Sequence, residues 1–429
     1  MRSGRAVILS DYVGGEGAAS GGAGHAALDS YRALRDAGAD VRVVAGFGRP
    51  DAIEPARFAS LGGGDLRAGG RAAALKTIYN SAAADALTTE LAGEDPDTTL
   101  VIVHQWTRYL TPAALRVVQR FPTMIYMHDY FWACPNGIYY DFQEERPCDR
   151  RPMGVRCVTA NCDRQGRVEK LGRIARQATR MTVAPRRGSR RLFLHLSEQA
   201  HRTAAPLLPG ERHAILYNPL TLPERLPAAP APRFDVGYFG RLEADKGVPM
   251  LAEAVAALGL TGLFVGQGSC EAMLAATAGI EHRAWQPRDT MAAAMRDCAV
   301  VVLPSRWHET WGLIVPEAMA AGVPVLVSAL AGSAELVRRF GGGATFNPGG
   351  ASDPGVAGDL QAKLAAVRPA AITPERYGAM RAFLSPERHA ARIMNLARSH
   401  FGLDLAAAPV RARAVRPVSQ PASLQPQPR

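Results

Sequence analysis

Two glutamates, Glu309 and Glu317, are separated by seven residues in the stretch 301–335, VVLPSRWHETWGLIVPEAMAAGVPVLVSALAGSAE. A β-branched run precedes the first glutamate. Pro316 and Gly322 fit the first turn and the end of a helix that carries the second glutamate. Another apolar run follows, so the stretch predicts one strand–helix–strand unit of a parallel sheet. Ligands of such sheets bind at the carboxyl ends of the strands, and both carboxylates bracket a loop at such an end.

A second charged loop, GRLEADKG at 240–247, supplies the cations Arg241 and Lys246. It directly follows an apolar run, which again predicts a strand end. Two cations next to a glycine-bearing loop can neutralise the charge that builds on a departing diphosphate. The alternative is an ion-pair cluster on the surface, in which these cations pair with Glu243 and Asp245.

Together the two loops resemble those of the large retaining glycosyltransferase family that includes bacterial polysaccharide and phosphatidylinositol mannosyltransferases, often called family 4. The glutamate spacing alone occurs in many chains, whereas its setting in PSRWHETWGLIVPEAMAAGVPV is specific. The resemblance is close over the C-terminal half and looser over the N-terminal half. It implies an α/β protein of GT-B fold, in which two doubly wound parallel-sheet (Rossmann-like) domains face each other across a cleft.

The resemblance also implies roles for individual residues. Glu317 would hold the ribose hydroxyls of a nucleoside-diphosphate-sugar, Glu309 would contact its sugar, and Arg241 and Lys246 would hold the diphosphate. A nucleophilic Glu309, as in retaining glycosidases, is disfavoured because the family reacts on the leaving-group face with the diphosphate as base. The other donor-binding candidates in this half are Gly266, Gly268, Trp311, Gly312 and Leu313.

Two details qualify these candidates. Family members usually have phenylalanine where this chain has Trp311, which leaves a backbone role intact and puts the fit at the sugar in question. Backbone N–H groups near Trp311, Gly312 and Leu313, next to the predicted helix start, could hold phosphate oxygens. No DxD-like metal motif lies on a suitable loop, so we expect that catalysis requires no metal cofactor.

The chain opens with a predicted strand at 5–10, a glycine-rich loop, and a helix over about 24–37. Gly21 and Gly22 lie in the sequence GGAG just before this helix, where free N–H groups and the helix dipole attract anions. The loop is not GxGxxG, so a dinucleotide fingerprint is not supported. In the resembling family a GG loop here lies at the cleft near the donor phosphates. The alternative is a tight turn that needs small residues.

Two further predicted strands, 99–104 and 123–128, each end in a histidine. His128 with Asp129 resembles the family's HD motif, whose histidine lies near the sugar and the acceptor, and His104 resembles an earlier cleft histidine. A lone histidine at a strand end is more often structural. From the resemblance we expect His128 to be catalytic, with His104 and Asp129 at the cleft.

Four of the six cysteines fall in one irregular segment, 130–162. They are Cys134, Cys148, Cys157 and Cys162. Their spacing lacks the CxxC pairs of common zinc sites, yet a structural zinc would stabilise a loop this long. The alternatives are reduced thiols or disulfides. HDYFWACPNG with spaced cysteines also resembles a subgroup of bacterial polysaccharide glycosyltransferases.

The expected domain organisation follows from these patterns. It comprises a first, acceptor-side domain 1–217 with the cysteine-containing insert 130–162, a proline-rich linker 218–232, a nucleotide-sugar-binding domain 233–384, a helix 385–404 that crosses back to the first domain, and a disordered tail 405–429. Residues 341–350 are expected to form a loop.

The net charge of +11 favours acidic partners such as nucleotide-sugars or anionic lipid. The arginine-rich stretch 164–191 predicts either a solvated helix face or a platform for anionic lipid. Few aromatic residues interleave with these arginines, so nucleic acid is not expected as a partner. No signal peptide or membrane span is recognisable in the sequence. We therefore expect a cytoplasmic protein with peripheral contact at the inner membrane face.

The predicted function is transfer of a sugar from a nucleoside-diphosphate-sugar to a glycan or lipid-linked acceptor. We expect the sugar to be a hexose and the product to be a cell-surface polysaccharide. Two alternatives belong to other classes. One is a GT-B nucleotide-sugar epimerase or phosphorylase, and the other is a non-catalytic, basic polyanion-binding protein. An epimerase would act on a nucleotide-sugar without a second substrate, which distinguishes it from a transferase.

Overall fold

The computed structural model describes residues 1–13, 21–48, 50–185, 190–227, 231–349, 356–366 and 370–406. Residues 14–20 of the predicted glycine-rich loop, 186–189 of the arginine-rich stretch, 228–230 of the linker and 407–429 of the tail lie outside this description. The described chain forms two α/β units, each built on one parallel sheet.

The first unit contains ten strands and seven α-helices within the described residues. The strands are β1 (Arg2–Ser3), β2 (Arg5–Tyr12), β3 (Val41–Phe47), β4 (Phe58–Ser60), β5 (Thr99–Val103), β6 (Thr123–Met127), β7 (Tyr140–Asp141), β8 (Arg146–Pro147), β9 (Arg191–His195) and β10 (His213–Ile215). The helices are α1 (Gly21–Asp36), α2 (Gly70–Ile78), α3 (Ser81–Glu90), α4 (Thr111–Val118), α5 (Val155–Thr159), α6 (Arg167–Val183) and α7 (Glu198–Ala204).

Seven of these strands form a parallel sheet in the order β10-β9-β6-β5-β2-β3-β4. Every residue of β5, β6 and β9 is buried, because helices cover both faces of the sheet and the strands can be apolar throughout. The insert lies outside the sheet, where β7 and β8 form a small antiparallel pair.

The second unit contains the remaining elements. The strands are β11 (Phe234–Phe239), β12 (Gly262–Val265), β13 (Ile280–Arg283), β14 (Cys298–Leu303), β15 (Val325–Ser328), β16 (Gly343–Phe346) and β17 (Leu403–Asp404). The helices are α8 (Val248–Ala257), α9 (Glu271–Ala275), α10 (Arg288–Arg296), α11 (Ile314–Ala320), α12 (Ala334–Phe340), α13 (Val356–Ala366), α14 (Pro374–Phe383) and α15 (Pro386–Phe401). Six strands form a parallel sheet in the order β13-β12-β11-β14-β15-β16.

The predicted fold class, two doubly wound parallel-sheet domains, is therefore confirmed. The prediction of a loop over 341–350 is wrong, because it contains the edge strand β16. Gly343 lies so close to β15 that an added Cβ would stand 2.2 Å from the carbonyl oxygen of Val325. A short segment that starts with glycine lacks the β-branched run of a typical strand, so only the pairing with β15 identifies it.

The last helix returns to the first sheet. Helix α15 packs against α1, and β17 after it pairs in parallel with β1 at the start of the chain. Ser385 caps α15 by accepting a hydrogen bond from the Arg388 N–H, and Gly402 ends the helix in the left-handed conformation. Among the described residues, no helix is both long enough and apolar enough to cross a membrane.

Candidate active site

Glu309 lies between two hydrogen-bond donors at the carboxyl end of β14. Its Oε1 accepts a hydrogen bond from Lys246 Nζ at 2.8 Å, and its Oε2 accepts one from the hydroxyl of the buried Ser305. Burial alone would raise the pKa of Glu309, but the charge and hydrogen bond of Lys246, together with Ser305, hold that pKa below its ordinary value. Glu309 is therefore a carboxylate at neutral pH, with both oxygens engaged.

The loop after β11 holds Lys246 at this position. A 3-10 turn, Ala244–Lys246, ends at Gly247, whose φ is 77°. A Cβ at Gly247 would stand 2.0 Å from the carbonyl oxygen of Pro304, so only glycine lets the two loops meet here. The ammonium group also lies 4.9 Å from the centroid of the Trp307 ring.

Arg241, the other predicted phosphate ligand, has an exposed side chain on the same loop. Gly266 and Gly268 lie beneath this loop, and an added Cβ would stand 1.8 Å from Gly240 O and 2.3 Å from Leu242 O respectively. The structure thus gives both glycines a close approach to the neighbouring backbone. A ligand contact of these two glycines stays a prediction.

The rest of the loop connects the second unit to the first. Glu317 is partly exposed in the first turn of α11. A Cβ at Gly22 would stand 3.2 Å from the Leu313 side chain, so the start of α1 faces this loop. Gly312 has a φ of 99°, and an added Cβ would stand 2.6 Å from the Leu303 side chain. The backbone around Leu313 therefore lies next to the predicted GG loop.

One correction and one further observation concern these residues. The sequence GGAG was expected to precede the first helix, whereas Gly21 and Gly22 are already part of α1, which the structure describes from Gly21 onward. The Trp311 side chain is buried and packs 5.4 Å, between ring centroids, from Tyr217. Its ring belongs to the apolar contact between the two units, and a backbone contact of Trp311 with a donor stays a prediction.

His104 and His128 lie at the carboxyl ends of neighbouring strands and share a hydrogen bond of 3.0 Å between His104 Nδ1 and His128 Nε2. Burial lowers the pKa of His128 to about 3, and burial together with His128 holds the pKa of His104 well below its ordinary value. Both imidazoles are therefore neutral at pH 7. Asp129 accepts a hydrogen bond from the Phe131 N–H, and burial raises its pKa to about 6.

The histidine pair stacks on Tyr126, whose ring centroid lies 4.0 Å from that of His104. The Tyr126 hydroxyl lies 3.0 Å from Nε2 of His389 on α15, and His389 Nδ1 donates to the carbonyl oxygen of Tyr217. Since Nδ1 carries the proton of a neutral ring, Nε2 is the acceptor for the two hydroxyls that lie 3.0 Å from it, those of Tyr126 and Ser30. The returning helix thus supports the histidine pair from behind.

Direct hydrogen bonds join the Glu309 loop to the first unit. Thr310 Oγ1 donates to the carbonyl oxygen of His128 at 2.9 Å, and Ser197 Oγ donates to the carbonyl oxygen of Thr310 at 2.9 Å. Glu309 is the residue before Thr310. The cleft therefore brings the carboxylate–lysine pair of one unit close to the histidine pair of the other.

The insert also reaches across the cleft. Arg164, just after it, pairs with Glu243 at 3.1 Å and with the buried Asp245, both on the GRLEADKG loop. Glu145 pairs with Arg306 at 2.6 Å. The two acids that could have paired with Lys246 or Arg241 are thus bound to Arg164, while Lys246 pairs with Glu309, so the alternative ion-pair cluster does not form.

The four insert cysteines lie near basic or amide groups. Lys170 Nζ lies 2.8 Å from Cys162 Sγ and 4.0 Å from Cys157 Sγ, and Arg150 Nη1 lies 3.9 Å from Cys148 Sγ. Cys134 donates to Asn136. All six cysteines are free thiols. Within the described ranges no three His, Cys, Asp or Glu side chains are placed to hold a metal ion, so the zinc site stays a prediction without structural support.

Sequence reasoning missed several residues of this site. Those that the structure adds are Ser305, Thr310, Arg164, Tyr126, Ser197 and His389. Ser305 and Thr310 lie inside the loop that the two glutamates mark, so proximity to Glu309 was an available signal. Ser197 and His389 lie far from any motif, and nothing in the sequence points to them.

Comparisons with known proteins agree with this architecture. The family model described as "Glycosyl transferases group 1" matches residues 233–355, which include Arg241, Lys246, Glu309 and Glu317. An "Uncharacterized 42.6 kDa protein in cps region" of Klebsiella pneumoniae is 31% identical over 109 residues, 24% of this chain and 28% of that protein. The match thus spans less than a third of the relative's length.

Solved structures resemble the whole chain. HepE of Anabaena in complex with UDP has a TM-score of 0.57 at 16% identity, covering 92% of this chain and 100% of that one. Sucrose-phosphate synthase of Thermosynechococcus elongatus has a TM-score of 0.64 at 18% identity, with 93% and 99% covered. WaaG, a glycosyltransferase involved in lipopolysaccharide biosynthesis, has a TM-score of 0.57 at 15% identity, with 90% and 99% covered.

The fold and the cleft define a class. The chain has the GT-B fold of nucleotide-sugar glycosyltransferases, and its second unit carries the sequence pattern of the glycosyl transferases of group 1.

Proposed function

We propose that this protein is a retaining glycosyltransferase that moves a hexose from a nucleoside-diphosphate-sugar to a hydroxyl of a glycan or lipid-linked acceptor. The observation that carries the proposal is the pairing of Glu309 with Lys246 and Ser305, on the loop that hydrogen-bonds to His128 through Thr310. One cation, one fixed carboxylate and one neutral imidazole thus border the same cleft.

Lys246 is suited to the donor diphosphate. An ammonium group has three N–H donors, so Lys246 can keep its bond to Glu309 while it donates to a phosphate oxygen. The exposed Arg241 on the same loop can add a bidentate contact. Both cations would stabilise the negative charge on the leaving nucleoside diphosphate, where preorganised charge has its largest effect on rate.

Glu309 is suited to holding a sugar hydroxyl rather than to attacking the anomeric carbon. Both of its oxygens already accept hydrogen bonds, one of them from a cation, which lowers the nucleophilicity of a carboxylate. This supports a reaction on the leaving-group face, in which a diphosphate oxygen takes the proton of the acceptor hydroxyl. On this proposal no metal ion is required for transfer.

His128 is suited to orienting the sugar. Because burial keeps its pKa at about 3, the ring stays neutral and can exchange hydrogen bonds with a hydroxyl without placing a positive charge next to the developing cationic sugar. The hydrogen bond with His104 and the stacking on Tyr126 restrict the orientation of the ring.

Uracil is the proposed base of the donor nucleotide, and a bacterial surface polysaccharide is the proposed product class. HepE is described in complexes with UDP and with UDP-glucose, and the K. pneumoniae relative belongs to a cps region. Arg173, Arg176 and Arg180 on α6 are engaged by an acid or by aromatic rings, which argues against the polyanion-binding alternative.

The test is calorimetric titration of the full chain with UDP, GDP and ADP, followed by incubation with the matching nucleotide-sugars. We expect UDP to bind, and Glu317→Ala to weaken that binding by about tenfold, as expected for the loss of a hydrogen bond to a carboxylate. Failure of all three nucleotides to bind would contradict the proposal. Conversion of the sugar without an acceptor and without release of the nucleotide would favour an epimerase instead.

A further inference from the structure

Helix α6 buries polar side chains and exposes apolar ones, which is the reverse of an ordinary surface helix. Its buried residues are Lys170, Gln177 and Arg180. Gln177 donates to the carbonyl oxygens of Trp132 and Ala133 at 3.0 Å each, and the Arg180 guanidinium lies 5.2 Å from the centroid of the Trp132 ring. The polar side of the helix therefore faces the protein.

Other arginines of the stretch 164–191 are engaged as well. The Arg176 guanidinium lies over the Phe131 ring at 4.6 Å, Arg173 pairs with Asp163 at 3.1 Å, and the buried Arg191 pairs with Glu211. The expectation that this stretch forms a solvated arginine face is therefore wrong for these residues. Acids and aromatic rings from distant segments bind them.

The outward side of α6 is apolar. Val168, Leu171 and Met181 are exposed by 78%, 62% and 50%. Leu75 is also exposed on α2, which packs against α6, and Val155 and Val158 are exposed on α5, whose Cys157 lies next to Lys170. We call this surface the α6 apolar face; its members are Leu75, Val155, Val158, Val168, Leu171 and Met181. Six of the eight large exposed apolar residues in the described chain belong to it.

The α6 apolar face has basic residues beside it. Lys76, Arg151, Arg156 and Arg167 are all exposed and lie on, or next to, the same three helices. On α6 itself, the exposed acidic residue beside these cations is Glu169. An apolar surface flanked by cations is complementary to a bilayer with anionic headgroups, where apolar side chains enter the acyl boundary and cations remain at the phosphates.

We propose that the α6 apolar face docks this protein onto the surface of an anionic bilayer by inserting its apolar side chains. Helix α6 begins three residues after Arg164, which contacts the GRLEADKG loop, so the N-terminal end of the docked helix lies near that loop. The proposal deepens the proposed function, since a lipid-linked acceptor would then be presented next to the site. Docking itself requires no catalysis.

The mode of docking has a measurable signature. Attachment through arginines alone would disappear when salt screens the charges, whereas inserted apolar side chains keep part of their free energy of transfer at any ionic strength. We therefore expect binding to anionic vesicles that weakens with salt but persists at ~0.5 M NaCl.

The experiment is co-sedimentation of the full chain with phosphatidylcholine vesicles, with or without roughly one third phosphatidylglycerol. The double variant Val168→Ser/Leu171→Ser should lower partitioning to the anionic vesicles by on the order of tenfold or more, because two large apolar side chains are removed. Trp285→Ser is the matched control, since Trp285 is an exposed apolar residue of the second unit and should leave partitioning unchanged.

Three results would overturn the proposal. The first two are no binding of the wild type to anionic vesicles, and equal binding of the double variant and the wild type. The third is a wild-type dimer that the double variant converts to a monomer without any change in binding to vesicles. The last result would identify a second copy of the chain as the occupant. UDP binding in solution should be identical in all variants, so failure of docking and failure of the proposed transferase function are distinguishable.

Discussion

The Glu309 loop and the cysteine-containing insert both approach the GRLEADKG loop, but they use charge differently. The Glu309 loop leaves a cation at the cleft, because Lys246 pairs with a single carboxylate and keeps N–H groups for a ligand. The insert region uses its cation up, because Arg164 binds Glu243 and Asp245. A basic residue thus marks a ligand site only when its partners leave part of it free.

Removing the cation that faces the cleft should have the largest effect. Lys246→Ala should lower kcat/KM with the nucleotide-sugar by about 10²- to 10³-fold, the scale of losing one preorganised charge contact. Steady-state kinetics would measure it, with Lys363→Ala on α13 as the control that should behave as wild type. Wild-type turnover in Lys246→Ala would show that Lys246 does not act on a ligand and that its charge is used no differently from that of Arg164.

The first sheet carries two hydrogen-bonded histidine pairs, which we expect to differ in function. His195 and His213 share a hydrogen bond of 2.9 Å, much like His104 and His128. His128→Ala should lower kcat by about 10²-fold through the loss of an orienting group. His195→Ala should alter thermal stability and leave kcat within a few-fold of wild type; equal losses of kcat in both would contradict the assignment of His128.

The buried histidines also predict a dependence of stability on pH. Burial lowers the pKa of His128 and His195 to about 3 and that of His389 to about 4, and holds the pKa of His104 well below its ordinary value. In the unfolded chain these rings take up protons below about pH 6.5, so unfolding binds protons and acid destabilises the fold.

The free energy of unfolding should therefore fall as the pH drops from about 7 to about 5. Each of these histidines contributes a slope of up to about 1.4 kcal/mol per pH unit once its unfolded form is protonated. Urea unfolding at several pH values would measure this slope. His195→Asn should lower the number of protons taken up on unfolding by up to one, and the slope by up to about 1.4 kcal/mol per pH unit. The carboxyls of Asp129 and Glu335, whose pKa burial raises to about 6 and about 7, offset part of this slope. A slope that His195→Asn leaves unchanged would show that the His195 ring is not buried as described.

Breaking the contact of the insert with the second unit should have the smallest effect. Arg164→Ala leaves the buried Asp245 carboxylate without that partner, which should raise KM for the donor by a few-fold to about tenfold through a shifted GRLEADKG loop. Arg151→Ala, on an exposed insert arginine, is the control. A drop in kcat as large as that of Lys246→Ala would mean that Arg164 itself contacts the donor.

Much of the second unit could be predicted from sequence, because its candidate site is local. Glu309 and Glu317 lie on one loop and on the helix after it, and Lys246 follows a strand end. Each of these residues is therefore marked by a pattern in its own stretch of sequence. Elements and residues outside these loops could be predicted less well. Strand β16 and the residues Ser197 and His389 depend on partners far away in the chain, and no local pattern distinguishes them.

The sequence by itself determined the strand and helix periodicity, the parallel α/β class, and the residue types that could bind a diphosphate. Those properties follow from side-chain chemistry and from short-range spacing. Only the tertiary structure decided which charges remain available. Three of the four arginines of α6 face inward because Asp163, Phe131 and Trp132 bind them there, and the helix consequently turns its apolar side outward. Burial and pairing are long-range properties, so the same residue type can form a ligand site, a structural contact or an exposed surface.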